Sequence, residues 1–184
     1  MDYDKIFKSK LNKLKGENRY RTFAELERQS GSYPHAQWNS PDGSKDVVVW
    51  CSNDYLGMGQ NPKVVKAISN AVDLHGSGAV GTRNISGSSS SIVALEEELA
   101  RLHGKERALV LTSGYVANET SISALAGLLD NVVILSDEMN HASIISGIRH
   151  ARCDKAIFRH NDTAHLEKLL AAQPLERPKI IVFE

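Results

Sequence analysis

The chain has 184 residues, 41% hydrophobic and 24% charged, which suits a packed globular domain. Its 22 Lys and Arg balance 22 Asp and Glu, so it lacks the broad basic footprint of a nucleic-acid binder. Cys51 and Cys153 stand far apart in no metal-ligand spacing and read as reduced thiols, and no apolar run is long enough to span a bilayer.

The N-terminus, Met1-Asp2-Tyr3-Asp4, carries acids early and has neither an apolar signal region nor an Arg/Ser-rich transit pattern. A cytoplasmic protein without a cleaved presequence is expected. Ile6, Phe7, Leu11 and Leu14 mark one face of a first helix, with Gly16 as its expected C-cap. Residues 19–33 show no clear period. Val47 to Cys51 reads as a strand, followed by the turn-rich Ser52 to Gly57. Asn61-Pro62 reads as N-cap and first helical position of a helix running to about His75.

A Gly/Ser segment covers Gly76 to Ser91. An amphipathic helix follows through Ile92, Leu95, Leu99 and Leu102. Strands are expected at 108–112, 132–135, 155–158 and 179–183, and helices at 115–126, 141–150 and 162–172. Short apolar strands alternating with helices predict an α/β fold with a parallel sheet covered on both faces. Ligands of such sheets bind outside the carboxyl ends of the strands. Three strand ends therefore matter: Thr112-Ser113-Gly114, Ser136-Asp137 and Arg159 to Asp162.

Gly76-Ser77-Gly78-Ala79-Val80-Gly81 spells G-x-G-x-x-G, but it follows a helix, where a dinucleotide fingerprint must follow a strand and open a helix. It reads as a flexible loop that lets backbone approach a substrate closely. Thr112-Ser113-Gly114-Tyr115 joins a strand to a helix, whose free N–H groups and dipole suit an anion; an ordinary capped turn has the same letters. His141 falls at a helix start on the ligand side of the sheet, as a ligand contact or as a capping residue. The histidines form no metal constellation. Arg21, beside Arg19 and Tyr20, could serve a carboxylate or phosphate, or be a solvated cation. The residues alone name no reaction.

Several strings are more specific than their physics: Arg19-Tyr20-Arg21-Thr22-Phe23, Trp50 to Gly59, Gly81-Thr82-Arg83-Asn84-Ile85-Ser86-Gly87, Leu102 to Glu106, Ser136 to Ser143, and Phe158 to Asp162. In order and spacing the chain resembles the bacterial 5-aminolevulinate synthases, a branch of the α-oxoamine synthases. The resemblance implies a fold-type I pyridoxal-phosphate transferase. It divides the chain into an N-terminal segment (1–60) and the first part of the large cofactor-binding domain (61–184). The implied reaction condenses glycine with succinyl-CoA to 5-aminolevulinate, CoA and CO2, the first step of tetrapyrrole and heme biosynthesis. A sister α-oxoamine synthase using another acyl-CoA is the alternative, as is a non-catalytic fragment.

By the same resemblance, Ser113, Gly114 and Tyr115 meet the cofactor phosphate, and His141 stacks on the pyridine ring. Asn53 lies near the glycine carboxylate. Arg21, Thr82, Asn84 and Ile85 surround the succinyl end, with Arg21 on its free carboxylate. Ser136 and Lys155 contact the CoA thioester substrate. A homodimer with a shared active site is implied, with no nucleic acid, membrane or metal. The lysine that carries the cofactor is expected beyond Glu184, so this stretch alone is expected to be inactive. Two departures stand out: Val80 where the family has a glycine, and Ser88-Ser89-Ser90-Ser91 where the family continues with threonine and then histidine.

Overall fold

In a computed structural model that describes residues 1–184, the chain divides into two compact units, Met1–Gly78 and Ala79–Glu184. The first opens with α1 (Tyr3–Gly16), where the Asp2 carboxylate accepts from the Lys5 N–H at 3.0 Å. Gly16 is still helical. The chain instead turns out through Asn18, at φ +53°, a conformation asparagine tolerates better than most residues.

An antiparallel meander follows: β1 (Glu25–Arg28), β2 (His35–Ser40) and β3 (Gly43–Val48). β1 and β2 lie where no strand was expected, and β3 starts earlier and ends earlier than 47–51. The register explains the shift. A tight connection through Pro41 and Asp42 pairs Ser40 with Gly43, and the ladder then runs to His35 opposite Val48. The sequence hides these strands because their apolar face is sparse, made by Leu26, Ala36, Trp38 and Val47, and only Ala36 on it is buried. α2 (Pro62–His75) begins as expected, with the Asn61 side chain accepting from the Lys63 N–H at 3.0 Å.

The second unit contains α3 (Arg83–Ser86), α4 (Ser90–Leu102), α5 (Gly114–Gly127), β4 (Val133–Asp137), α6 (Ala142–Ala151), β5 (Asp154–Phe158), α7 (Thr163–Ala171) and β6 (Lys179–Val182). Its sheet is parallel, in the order β5-β4-β6. The chain steps from β4 out to β5, then back past β4 to β6, so crossovers of one hand place α6 and α7 on opposite faces. The core follows that layout. Ile134, Val132, Ile144, Ile148 and Ala126 pack on the α5/α6 face, and Val133, Leu135 and Phe158 pack on the α7 face with Leu166, Leu169 and Leu170. Every residue of β4 is buried, which is why it reads as an apolar run. Ile134 and Leu135 are wholly enclosed, a burial that stabilises by about 1.5–3 kcal/mol per side chain.

The strand expected at 108–112 does not form. An apolar run has strand propensity, but a strand needs a neighbour's ladder, and here the Val110 N–H donates instead to the Glu96 carboxylate at 2.8 Å.

α5 and α6 meet at Gly147. A Cβ there would sit 2.9 Å from the Glu119 carbonyl oxygen and 3.0 Å from the Ile122 Cβ. One helix step away, His150 Nδ1 lies 2.9 Å from the Glu119 carboxylate across the same seam. Gly147→Ala should therefore destabilise the protein by about 1–3 kcal/mol, the usual cost of overpacking. Gly127→Ala, where an added Cβ meets nothing within 4 Å, should be neutral or stabilise by up to about 1 kcal/mol through helix propensity. Urea titrations of both variants check this, and equal effects would show that the seam has room to spare.

Candidate functional site

At the carboxyl edge of the sheet, two helix starts face one another. Ser113 caps α5: its hydroxyl accepts from the Val116 N–H at 3.2 Å and its carbonyl from the Ala117 N–H at 2.9 Å. The N–H groups of Gly114 and Tyr115 have no partner further up the helix, and they lie at the positive end of its dipole. Nothing lies within 4 Å of where a Gly114 Cβ would stand, so this backbone is open to a ligand. His141 caps α6 and projects from the same edge; its ring meets the Tyr115 ring edge-on, with centroids 6.2 Å apart. Ser113, Gly114, Tyr115 and His141 are thus gathered as the sequence suggested.

The loop between β4 and α6 is anchored from below. Asn140 is buried, and its amide nitrogen donates to Ser136 Oγ at 3.0 Å and to the Val182 carbonyl at 2.9 Å, tying β4 to β6. Its Oδ1 is buried without a partner. Ser136 is itself buried and donates to the Asp137 carbonyl at 3.1 Å. Asp137 gathers the next strand end: its carboxylate accepts from the Met139 N–H at 2.8 Å, the His160 ring at 2.9 Å and the Asn161 N–H at 3.4 Å. Burial pushes the Asp137 carboxyl upward, yet these donors outweigh it and hold the group below its ordinary value. Lys155 stands apart. It is exposed near the amino end of edge strand β5, opposite Ile134.

Thr82 precedes the single helical turn α3, which carries Asn84 and Ile85, and Arg83 fixes this turn in place. Arg83 makes a two-pronged pair with Glu96 of α4, at 2.6 and 2.9 Å, and its Nε donates to Ser88 Oγ at 2.9 Å. A Cβ on Gly81 would overlap the Ser86 hydroxyl, which would have to rotate away to admit it. Val80 holds φ +50°, a left-handed conformation that costs a branched residue on the order of 1–3 kcal/mol. Ile85 is exposed. In the first unit, Asn53 lines a concavity with Arg28, Tyr33, Cys51, Ser52 and Asp54, and Arg21 lies exposed before β1.

Sequence reading missed Arg83, Glu96, Asn118, Asn140 and Ser143 as site-builders. Arg83, Asn140 and Ser143 sit inside the quoted strings, which is the one signal that could have raised them. No helix is long and apolar enough to cross a membrane, and no group of three or more His, Cys, Asp or Glu is placed to hold a metal ion.

The aminotransferase class I and II family matches residues 45–184. Among curated proteins, a 5-aminolevulinate synthase of Bradyrhizobium diazoefficiens is 57% identical over 184 residues, covering 100% of this chain and 45% of that protein. One of Rhizobium meliloti is 53% identical, covering 100% and 46%. The chain therefore spans about half the length of the curated relatives it matches. Among solved structures, a Sphingomonas wittichii serine palmitoyltransferase superposes with a TM-score of 0.81 at 30% identity, over 97% of this chain and 43% of that one. A serine palmitoyltransferase from S. paucimobilis with bound PLP gives 0.80 at 31% identity, over 95% and 44%.

The Arg83–Glu96 pair sets a dependence on acid. The Arg83 hydrogen bonds, then the Val110 N–H, lower the Glu96 carboxyl from 4.5 to about 2. A depressed folded-state pKa means the pair's contribution is complete above pH 4.5 and is lost as pH falls toward 2. Melting temperature should therefore drop across that window in the wild type, and drop less steeply in Glu96→Gln, which starts lower at neutral pH. Parallel acid titrations by circular dichroism would sink the assignment if the two curves had the same slope.

Proposed function

The chain belongs to the aminotransferase class I and II family, and from that membership we propose that it forms part of a pyridoxal-phosphate acyltransferase with 5-aminolevulinate synthase activity. Its sheet and flanking helices are the α/β architecture of fold-type I enzymes. The observation that carries the proposal is the pairing of an open helix N-terminus with an imidazole at the carboxyl edge of the sheet. That donor set fits the cofactor: N–H groups and a dipole for a phosphate, and a flat ring for an aromatic heterocycle. The identity of 57% to a curated 5-aminolevulinate synthase supports the choice of reaction.

When bound, pyridoxal phosphate supplies the electron sink for the glycine α-carbon. The chain's own residues bind and orient. Ser113, Gly114 and Tyr115 hold the phosphate, and His141 lies against the pyridine ring. Asn53 meets the glycine carboxylate. Arg21 pairs with the free carboxylate of succinyl-CoA, while Thr82, Asn84 and Ile85 bound the acyl chain on the loop that Arg83 fixes. Lys155, exposed and cationic, meets the CoA portion. Ser136 is buried, so its share in substrate contact runs through the loop it anchors.

Segment 1–60 then serves substrates and 61–184 opens the cofactor domain. The proposal extends to a homodimer with a shared site. Phe23, Trp50, Tyr55, Leu56 and Ile85 are each more than 80% exposed, the kind of apolar surface a partner subunit covers. It extends also to a cytoplasmic location, in keeping with the bacterial relatives.

A second reading, condensation of serine with a long acyl-CoA, is favoured by the serine palmitoyltransferase neighbours. The intact protein, supplied with glycine and succinyl-CoA, should release 5-aminolevulinate; product only from serine and palmitoyl-CoA would replace the first reading with the second. In the same assay, Arg21→Ala should lower kcat/KM for succinyl-CoA by roughly thirty-fold or more, as expected when one partner of a charge pair that the substrate and the partner subunit cover is removed. The loss on butyryl-CoA, which leaves no carboxylate unpaired, should be much smaller. Equal losses on both substrates would show that Arg21 is only a surface cation.

A further inference from the structure

Ser143 is wholly buried beneath His141, between α6 and α5. Its hydroxyl lies 2.7 Å from His141 Nδ1 and 3.0 Å from the side-chain amide nitrogen of Asn118 on α5. Its backbone N–H also points at His141 Nδ1, at 3.2 Å. These three contacts have one consistent direction. A backbone N–H can only donate, so Nδ1 is the acceptor and carries a lone pair. The Ser143 hydroxyl is then free to give its single proton to Nδ1, and it accepts from Asn118. Turning the Asn118 amide around would demand that hydroxyl proton for its oxygen and leave Nδ1 with one donor instead of two. In the neutral ring the proton is therefore on Nε2.

We propose that Asn118 and Ser143 are positioning residues for His141, a relay that fixes the tautomer and the plane of its ring. This rests on the reading of His141 as the group lying against the cofactor ring. Two donors converging on one ring nitrogen oppose rotation about the bond that carries the ring, so the same face is always presented. The relay depends on the seam between the helices. Asn118 meets Ser143 because α6 rides directly on α5, and Gly147 lets it, one turn further along. His141 is also held from behind, where its own N–H donates to the Glu184 carboxylate at 2.7 Å. Neither Asn118 nor Ser143 needs to touch a ligand to act this way.

Asn118→Asp tests the relay with almost no change of shape. A carboxylate in that place accepts the Ser143 proton and withdraws it from Nδ1. The intact protein, labelled with nitrogen-15 in histidine, reads the outcome directly from the two ring-nitrogen resonances of His141. The wild type should show an unprotonated Nδ1 and a protonated Nε2. Asn118→Asp should shift population away from that form by about five- to tenfold, the effect of losing one hydrogen bond. Ser143→Ala, which removes the hydroxyl and leaves the backbone N–H, should shift it in the same direction. An unchanged His141 signature in both variants, with circular dichroism unaltered, would overturn the relay. Adding pyridoxal phosphate to the labelled wild type separates this from the parent reading. If the His141 resonances do not move on addition, the reading of the cofactor site fails, whatever the tautomer result.

Discussion

The contact on which the second unit depends is the seam between α5 and α6, where Gly147 lets one helix lie against the backbone of the other. Everything at the carboxyl edge inherits its position from that approach. α5 carries the open N–H groups of Gly114 and Tyr115, α6 carries His141, and their separation is set where Glu119 and Ile122 touch the Gly147 backbone. The seam in turn rests on Ile134 and its neighbours in β4, a strand covered on both faces. A close-packed interior transmits such constraints because it has no slack to absorb them. The His141 ring and the open start of α5 are thus two ends of one rigid assembly.

Much of this was legible in the sequence, for physical reasons. β4 announces itself as an apolar run because a parallel strand buried on both faces contains little else, and the half-buried edge strand β6 follows the same pattern. Asn61-Pro62 and Ser113-Gly114 mark helix starts because cap chemistry is local. The rule that ligands gather beyond strand carboxyl ends points to His141 after β4, whereas it reached Ser113 only through an expected strand that does not form. What stayed hidden was non-local. β1 and β2 are recognisable only by their pairing, since the apolar residues of their one apolar face, Leu26, Ala36 and Trp38, are too few to read as an alternation. Residues 108–112 have the composition of a strand and no ladder to join. Arg83 and Glu96 are 13 residues apart, and Asn118 and Ser143 are 25 apart, so no spacing rule links either pair.

The loop at 82–85 shows how the chain handles a position that sequence made suspect. Val80 occupies a backbone conformation that glycine adopts freely and valine resists. The surroundings compensate with fixed geometry on the far side of Thr82: the fork of Arg83 on Glu96, the Arg83–Ser88 contact and the close fit of Gly81 against Ser86. Strain persists where neighbouring contacts over-determine the fold, and that description suits this loop.

Glu96 does more than hold Arg83. The oxygen that meets the Arg83 guanidinium at 2.6 Å also receives the Val110 N–H, three residues before the cap of α5. One carboxylate oxygen therefore serves both the turn at Thr82–Ile85 and the approach to the open helix start at Gly114. Such sharing ties the two segments in position: a shift of the Arg83 fork moves the atom that anchors Val110. The turn at Thr82 and the helix start at Gly114 need never touch to be held in register, because a single atom anchors both.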